Sequence, residues 1–164
     1  MKEIDPKGIP YDPFLLFAHP AVAVVEAEGK RNAITIAWGA LGNLWSVPCV
    51  FVFIKTSRYS HDLFEKADGY SVCLLEKKHA DLWKYFGRVS GRDEDKIGES
   101  GLTLLHEDGI PYFKESKLVI VGKKLLSTAL PSEDILDPAI REKYYPDGSH
   151  HSMYVARIVK AFVE

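Results

Sequence analysis

Cysteine is scarce in this sequence. Cys49 and Cys73 are the only two among 164 residues; they form no C-x-x-C pair, and no Cys/His array stands at zinc spacing. Both lie in apolar, strand-like runs, where a free thiol behaves as a small core hydrophobe. Buried free thiols are therefore expected rather than a disulfide, and no metal site is expected. His150 and His151 are adjacent on a strand-like run, so they point to opposite faces and at most one faces a given site. With His19 far upstream they have no metal-ligand spacing, and exposed imidazoles are the default for the pair. Charge of one sign is also lacking: 21 Lys+Arg stand against 23 Asp+Glu, a net −2. Nothing in that balance calls for nucleic acid or an anionic membrane as partner. No apolar stretch approaches the ~20 residues of a membrane helix. The first residues, Met1-Lys-Glu-Ile-Asp-Pro, have no apolar core of a signal peptide, so a cytoplasmic location is expected. Repeats, low-complexity tracts and Pro/Gly/Ser linkers are absent, which suggests a single domain over 1–164. The chain also lacks a G-x-G-x-x-G fingerprint, so any dinucleotide must bind without a separate Rossmann domain.

What is present is an ordinary globular balance, 46% apolar and 27% charged, arranged as short β-rich runs broken by turn clusters. Runs rich in Val, Ile, Phe and Tyr predict strands at 21–27, 32–37, 49–55, 70–75, 117–126 and 153–163. The run Cys49-Val-Phe-Val-Phe-Ile54 is apolar on both faces and belongs in the middle of a barrel or sandwich. Helices are predicted at 61–67, capped by Ser60, and at 78–86, stopped by Gly87, with a short third helix at 93–98. Six strands with helices between them do not make a βαβ pattern. They predict a mainly β fold, an antiparallel Greek-key barrel with helical excursions.

Three segments carry chemistry. Asn32-Ala-Ile-Thr-Ile-Ala-Trp38 ends a strand and leads into Gly39-Ala-Leu-Gly-Asn43, read as a loop of small residues. A flat ring with polar edges needs such backbone exposure and small side chains; the plain alternative is a strand and turn with a core Trp. Ile54-Lys-Thr-Ser-Arg-Tyr-Ser-His-Asp62 joins a buried strand to a helix start. It gathers Lys55, Ser57, Arg58, Ser60 and His61, the cations and donors that a phosphomonoester wants at a helix N-terminus. Its plain alternative is a solvated turn whose serines only cap. Gly87-Arg-Val-Ser-Gly-Arg-Asp-Glu-Asp-Lys96 is either a charge-compensated helix start or a loop reaching over a nucleotide, with Arg92 or Lys96 facing an anion.

Taken in order, these segments resemble the FMN-binding split-barrel family of flavin reductase-like and flavoredoxin proteins. The resemblance rests on Asn32-Ala-Ile-Thr-Ile-Ala-Trp38, Val47-Pro48, Arg58-Tyr-Ser-His-Asp62, Tyr70-Ser-Val-Cys-Leu74 and Ser90-Gly-Arg-Asp-Glu-Asp-Lys96. His151 before an apolar strand is similar to the family's G-D-H segment, which reads Ser149-His150-His151 here, and the family's Pro-Pro is Val47-Pro48. The resemblance implies a six-stranded split barrel, a homodimer, and FMN near the subunit interface. It implies that Asn32, Thr35, Ala37 and Trp38 line the isoalloxazine. Lys55, Ser57, Arg58, Ser60 and His61 would hold the phosphate, Ser90 and Arg92 would approach the ribityl-phosphate, and His151 would be the catalytic candidate. NADH or NADPH is the implied co-substrate, and the electron acceptor is left open. The stretch 127–149 has no counterpart, and within it 138–145 is read as a short helix over the cofactor or over a barrel end. Three functions compete: an NAD(P)H-dependent flavin reductase, an FMN electron carrier without its own fast nicotinamide reaction, and a split barrel that binds another ligand such as pyridoxal phosphate or haem.

Overall fold

The computed structural model describes residues 1–18 and 21–164; His19 lies outside the described residues. Ten strands and five helices occur among those described: β1 (Lys2–Ile4), α1 (Pro13–Ala18), β2 (Ala21–Ala27), β3 (Lys30–Ile36), β4 (Gly39–Leu44), β5 (Val47–Lys55), α2 (Tyr59–Lys66), β6 (Gly69–Leu75), α3 (Leu82–Arg88), α4 (Lys96–Glu99), β7 (Leu104–Glu107), β8 (Ile110–Phe113), β9 (Ser116–Leu130), α5 (Pro138–Tyr144) and β10 (His151–Val163). The main sheet has eight antiparallel strands in the order β3-β2-β6-β9-β10-β5-β4, with β1 added along β10. The pairings β2–β6 and β6–β9 skip over intervening segments, which is the Greek-key crossing expected of a mainly β barrel.

The six expected strands are all present as β2, β3, β5, β6, β9 and β10, with ends moved by up to four residues. The count is corrected to eight in the main sheet plus the β7–β8 pair. β4 is the expected small-residue loop; all of it pairs with β5, Gly39↔Val52 through Leu44↔Val47. Glycine and alanine have weak intrinsic β preference, but backbone pairing with a buried neighbour outweighs it. Gly39 is required there, since a Cβ would run into the Phe17 ring. The β7–β8 hairpin turns through Asp108 and Gly109, both at positive φ (51° and 78°), as a two-residue primed turn demands. The same turn geometry at Trp45 and Ser46 (52° and 62°) joins β4 to β5 without a glycine.

The helices also shift. α2 begins at Tyr59 with Arg58 as its N-cap and no side-chain cap, so Ser60 is inside the helix. Gly87 does not stop α3; Val89 is the C-cap. The third helix shortens to Lys96–Glu99, where the Asp95 carboxylate accepts from the Gly98 N–H at 3.1 Å. The 138–145 helix is present as α5.

Alternation along the strands separates two apolar clusters. Ala21, Ala23, Val25, Val50, Val52, Ile54, Val72 and Ile120 face the barrel interior, with Phe64, Tyr70 and Tyr154 filling it. Val22, Val24, Cys73, Val119 and Val121 face outward beneath Phe86, Ile97, Tyr112 and Phe113. The barrel therefore wears a second layer of α3, α4 and β7–β8 on one side. On β5 the outward residues Phe51 and Phe53 are only half-buried. Cys49 and Cys73 are free and buried. No described helix is long and apolar enough to cross a membrane.

Candidate functional site

A cavity of about 290 Å³ opens where the end of β5, the start of α2 and the α3–α4 loop meet. Lys55, Arg58, Arg88, Arg92 and Lys96 line it, and no carboxylate does. Two of the cations are fixed by the carbonyl end of α3, where unpaired C=O groups collect partial negative charge. Arg58 Nη1 donates to the Gly87 carbonyl at 3.2 Å and Lys96 Nζ to the Phe86 carbonyl at 2.9 Å. The Arg92 guanidinium lies 5.5 Å from the centroid of the Tyr59 ring. The nearby acids are engaged elsewhere: Asp95 with Arg31 at 3.2 Å, and Glu94 as acceptor of the Tyr85 hydroxyl. Only Asp147 leans in, 3.8 Å from Lys55.

Ser57, Ser60 and Ser90 add hydroxyls to the same wall. Ser60 is buried and its Oγ accepts from Asn32 Nδ2 at 2.7 Å, so β3 and α2 are tied together at the cavity. Ser90 Oγ accepts from the Arg92 N–H at 3.2 Å, which tightens the turn. Between them Gly91 brings bare backbone to the wall. A Cβ there would stand 2.5 Å from the Tyr59 ring and 2.8 Å from Asn32 Oδ1.

A second cavity, of about 180 Å³, adjoins the first. Ile34, Lys55 and Arg58 line both. Its remaining walls include Thr35, Ala37, Trp38, Phe53 and His151. Thr35 Oγ1 donates to the Trp83 carbonyl, tying this wall to α3. Trp38 is partly exposed; the His151 ring tilts against it at 4.8 Å between centroids, and Tyr144 of α5 meets it edge-on at 5.1 Å. The Tyr145 hydroxyl and His151 Nδ1 share a 2.9 Å hydrogen bond. Burial, reinforced by the positive charge of Lys55, Arg58 and His150, lowers the His151 pKa to about 4. The imidazole is neutral near pH 7, so with Tyr145 as donor to Nδ1 its Nε2–H is a donor.

Eleven of the twelve residues singled out from sequence thus meet on one continuous wall. Asn32 stands on the cation side rather than beside the slot. His61 joins neither cavity: Nε2 is 3.0 Å from Ser152 Oγ and 3.7 Å from Glu65, on the far side of the α2 start. The histidine pair is half-buried rather than exposed. Sequence reasoning left out Gly91 and Tyr145. Gly91 was visible within Ser90-Gly-Arg; Tyr145 ends the 138–145 segment read as a helix over the cofactor or a barrel end, but was not singled out as a site residue.

Cations and hydroxyls thus stand beside a slot of small and aromatic residues. The model of the flavin reductase like domain matches residues 16–164. The chain belongs to that family. No curated protein matches this flavin reductase-like chain. Among solved structures, flavoredoxin from Methanosarcina acetivorans superposes with a TM-score of 0.72 at 18% identity, covering 100% of this chain and 76% of that one. The FMN-binding protein from Thermus thermophilus with bound p-hydroxybenzaldehyde gives 0.69 at 22%, covering 100% and 79%. The styrene monooxygenase flavin reductase from Pseudomonas putida S12 gives 0.62 at 16%, covering 88% and 79%. These likenesses establish the split-barrel flavin reductase fold.

Proposed function

We propose that this flavin reductase-like chain binds FMN, with the phosphate in the cation-lined cavity and the ring in the adjoining slot. On this reading it acts as an NAD(P)H-dependent flavin reductase-type oxidoreductase. The observation that carries the reading is the pair of joined cavities, one with five cations and no carboxylate, the other walled by Thr35, Ala37, Trp38 and His151. The residues fit the group: charged hydrogen bonds from Arg and Lys suit a phosphate, Gly91 gives close backbone approach, and Trp38 offers a face for stacking. FMN and flavin reductase activity in the neighbours' own descriptions support the same choice.

Flavin supplies the electron chemistry, and the chain's residues orient, exclude water and place donors. Lys55 and Arg58 border both cavities, so they fix where the phosphate ends and the ring begins. Neutral His151, held by Tyr145, lines the slot, where it would orient a nicotinamide or its phosphates. An FMN carrier without its own nicotinamide reaction is the second reading, favoured by Tyr144 and Tyr145 packing against Trp38 and His151 of the slot wall. The chain is also proposed to pair with a second copy: Phe14 and Trp38 stand exposed around an apolar groove of about 440 Å³ that Phe53 also lines. A monomer mass by light scattering at full flavin occupancy would end that part of the proposal.

The deciding experiment is a visible spectrum of the purified protein with FMN, before and after each nicotinamide without oxygen. Yellow protein at about one flavin per chain, bleached rapidly by NADH or NADPH, is the expected result. Bleaching by dithionite alone selects the carrier, and no flavin affinity rejects the reading.

A further inference from the structure

Lys96 is buried, 3% exposed, yet it faces the cation-lined cavity. Its ammonium has one protein acceptor, the Phe86 carbonyl at 2.9 Å, and sits 6.0 Å from the Phe86 ring. It has no carboxylate within ion-pair distance among the described residues. The charged groups around it are mostly of its own sign: Arg58 from the segment before α2, Lys55 from β5, Arg88 from α3 and Arg92 from the intervening loop. Glu94 is the one acid that acts on it, and that carboxylate accepts from the Tyr85 hydroxyl. Asp95, next to it in the chain, pairs with Arg31. A buried lysine is ordinarily paired, because an ammonium without its counter-ion is costly to desolvate. Here no counter-ion is supplied among the described residues, and the side chain borders the cavity.

We propose that Lys96 is the specificity-determining cation of this cavity, holding a phosphomonoester dianion against Arg58 and coupling its arrival to uptake of a proton. The inference rests on the FMN reading above and adds to it the residue that senses the phosphate charge. Desolvation, aided by Arg58, lowers the Lys96 pKa to about 8 in the free protein. A dianion brought into contact raises it again. The free protein then carries about a tenth of the missing proton's deficit at pH 7, about half at pH 8 and about nine tenths at pH 9, and binding fills it. The linkage has one sign: affinity for FMN falls as pH rises, by about tenfold between pH 7 and 9. The phosphate's own second ionisation, near pH 6, is about nine tenths complete at pH 7 and complete by pH 8, so it offsets the small uptake at pH 7 and leaves that at pH 8 and 9 unchanged.

Titration calorimetry of the whole protein with FMN and with riboflavin, in buffers of different ionisation enthalpy at pH 7, 8 and 9, tests this. The expected result is an FMN enthalpy that depends on buffer, with uptake rising from pH 7 to 9, and a riboflavin enthalpy that does not. Lys96→Met and Lys96→Gln should bind FMN more weakly at pH 7 and lose both the uptake and the tenfold pH dependence. FMN binding without uptake in the wild type overturns the inference while leaving the FMN reading intact, and so does uptake that persists in both variants. Failure of either flavin to bind overturns both. If a variant does not fold, a wild-type FMN enthalpy that shows no buffer dependence still overturns the inference.

Discussion

The two halves of the candidate site are built on opposite principles. The cation side is made of loops and helix ends: Arg58, Arg88, Ser90, Gly91 and Arg92 stand where regular structure stops, and Arg58 is tied to the Gly87 carbonyl of α3. The slot side is made of the strand end at Thr35 and the segment after it, together with the first residue of β10, and depends on packing of Trp38, His151 and Tyr144. A charged loop wall recognises ligand charge and responds to salt and pH. A packed strand wall holds shape and changes little with salt. Affinity for the ligand should be set on the first side, and access to its reactive ring on the second.

The sharpest way to break that division is Arg58→Ala. Losing a charged hydrogen bond from a partly desolvated phosphate costs roughly 1.5–3 kcal/mol, or on the order of ten- to a hundredfold in FMN dissociation constant. Riboflavin should change little. Equal losses for the two ligands, by fluorescence titration, would place Arg58 away from the phosphate.

On the slot side, His151→Ala should slow bleaching of the flavin by nicotinamide about tenfold at unchanged FMN occupancy, in line with one positioned group. Stopped-flow absorbance checks it, and an unchanged rate would remove His151 from the reaction. The same residue predicts a pH effect. Its folded value near 4 lies below the ordinary 6.5, so the unfolded chain takes up the proton first. Its contribution to stability is complete above pH 6.5 and is lost as pH falls toward 4. Melting curves between those limits should be flatter for His151→Ala than for wild type.

Salt gives a smaller contrast. Raising ionic strength from about 0.05 to 0.5 M shortens the screening length severalfold, so FMN affinity should drop a few-fold while riboflavin affinity holds. A parallel drop would mean that the phosphate is not what the cations meet. The smallest effect is expected at Thr35→Val. It removes the tie to the Trp83 carbonyl, costing about 0.5–1.5 kcal/mol of stability, with both flavins affected alike.

Much of this was legible in the sequence because apolar runs and strand burial are the same fact. The residues 21–27 predicted as a strand are β2 without change, since each of them but Glu26 is buried. The phosphate-type segment was legible because Lys55 to Ser60 packs cations and hydroxyls into a strand-to-helix junction. Other features were hidden for physical reasons. β4 is stabilised by its partner strand, not by its own glycines. The β7–β8 hairpin carried a signal, the Asp108-Gly109 turn pair, that the longer periodicities overshadowed. His61 follows from side-chain direction: it is near in sequence, but one step around the helix turns it to Ser152. Tyr145 reaches His151 only because α5 folds back, which no local pattern encodes.

The two cysteines acquire a different meaning in a protein proposed to handle reducing equivalents. Cys49 and Cys73 are sealed in the sheet, and burial pushes the Cys73 thiol pKa upward, away from the reactive thiolate. Ser71 Oγ and Cys73 Sγ lie 3.6 Å apart, and Cys49 Sγ donates to the Leu44 carbonyl at 3.9 Å. Neither sulfur presents itself to peroxide, to glutathione or to the other. The fold therefore keeps its own sulfur electrochemically silent, so that no thiol–disulfide couple competes with the bound redox group.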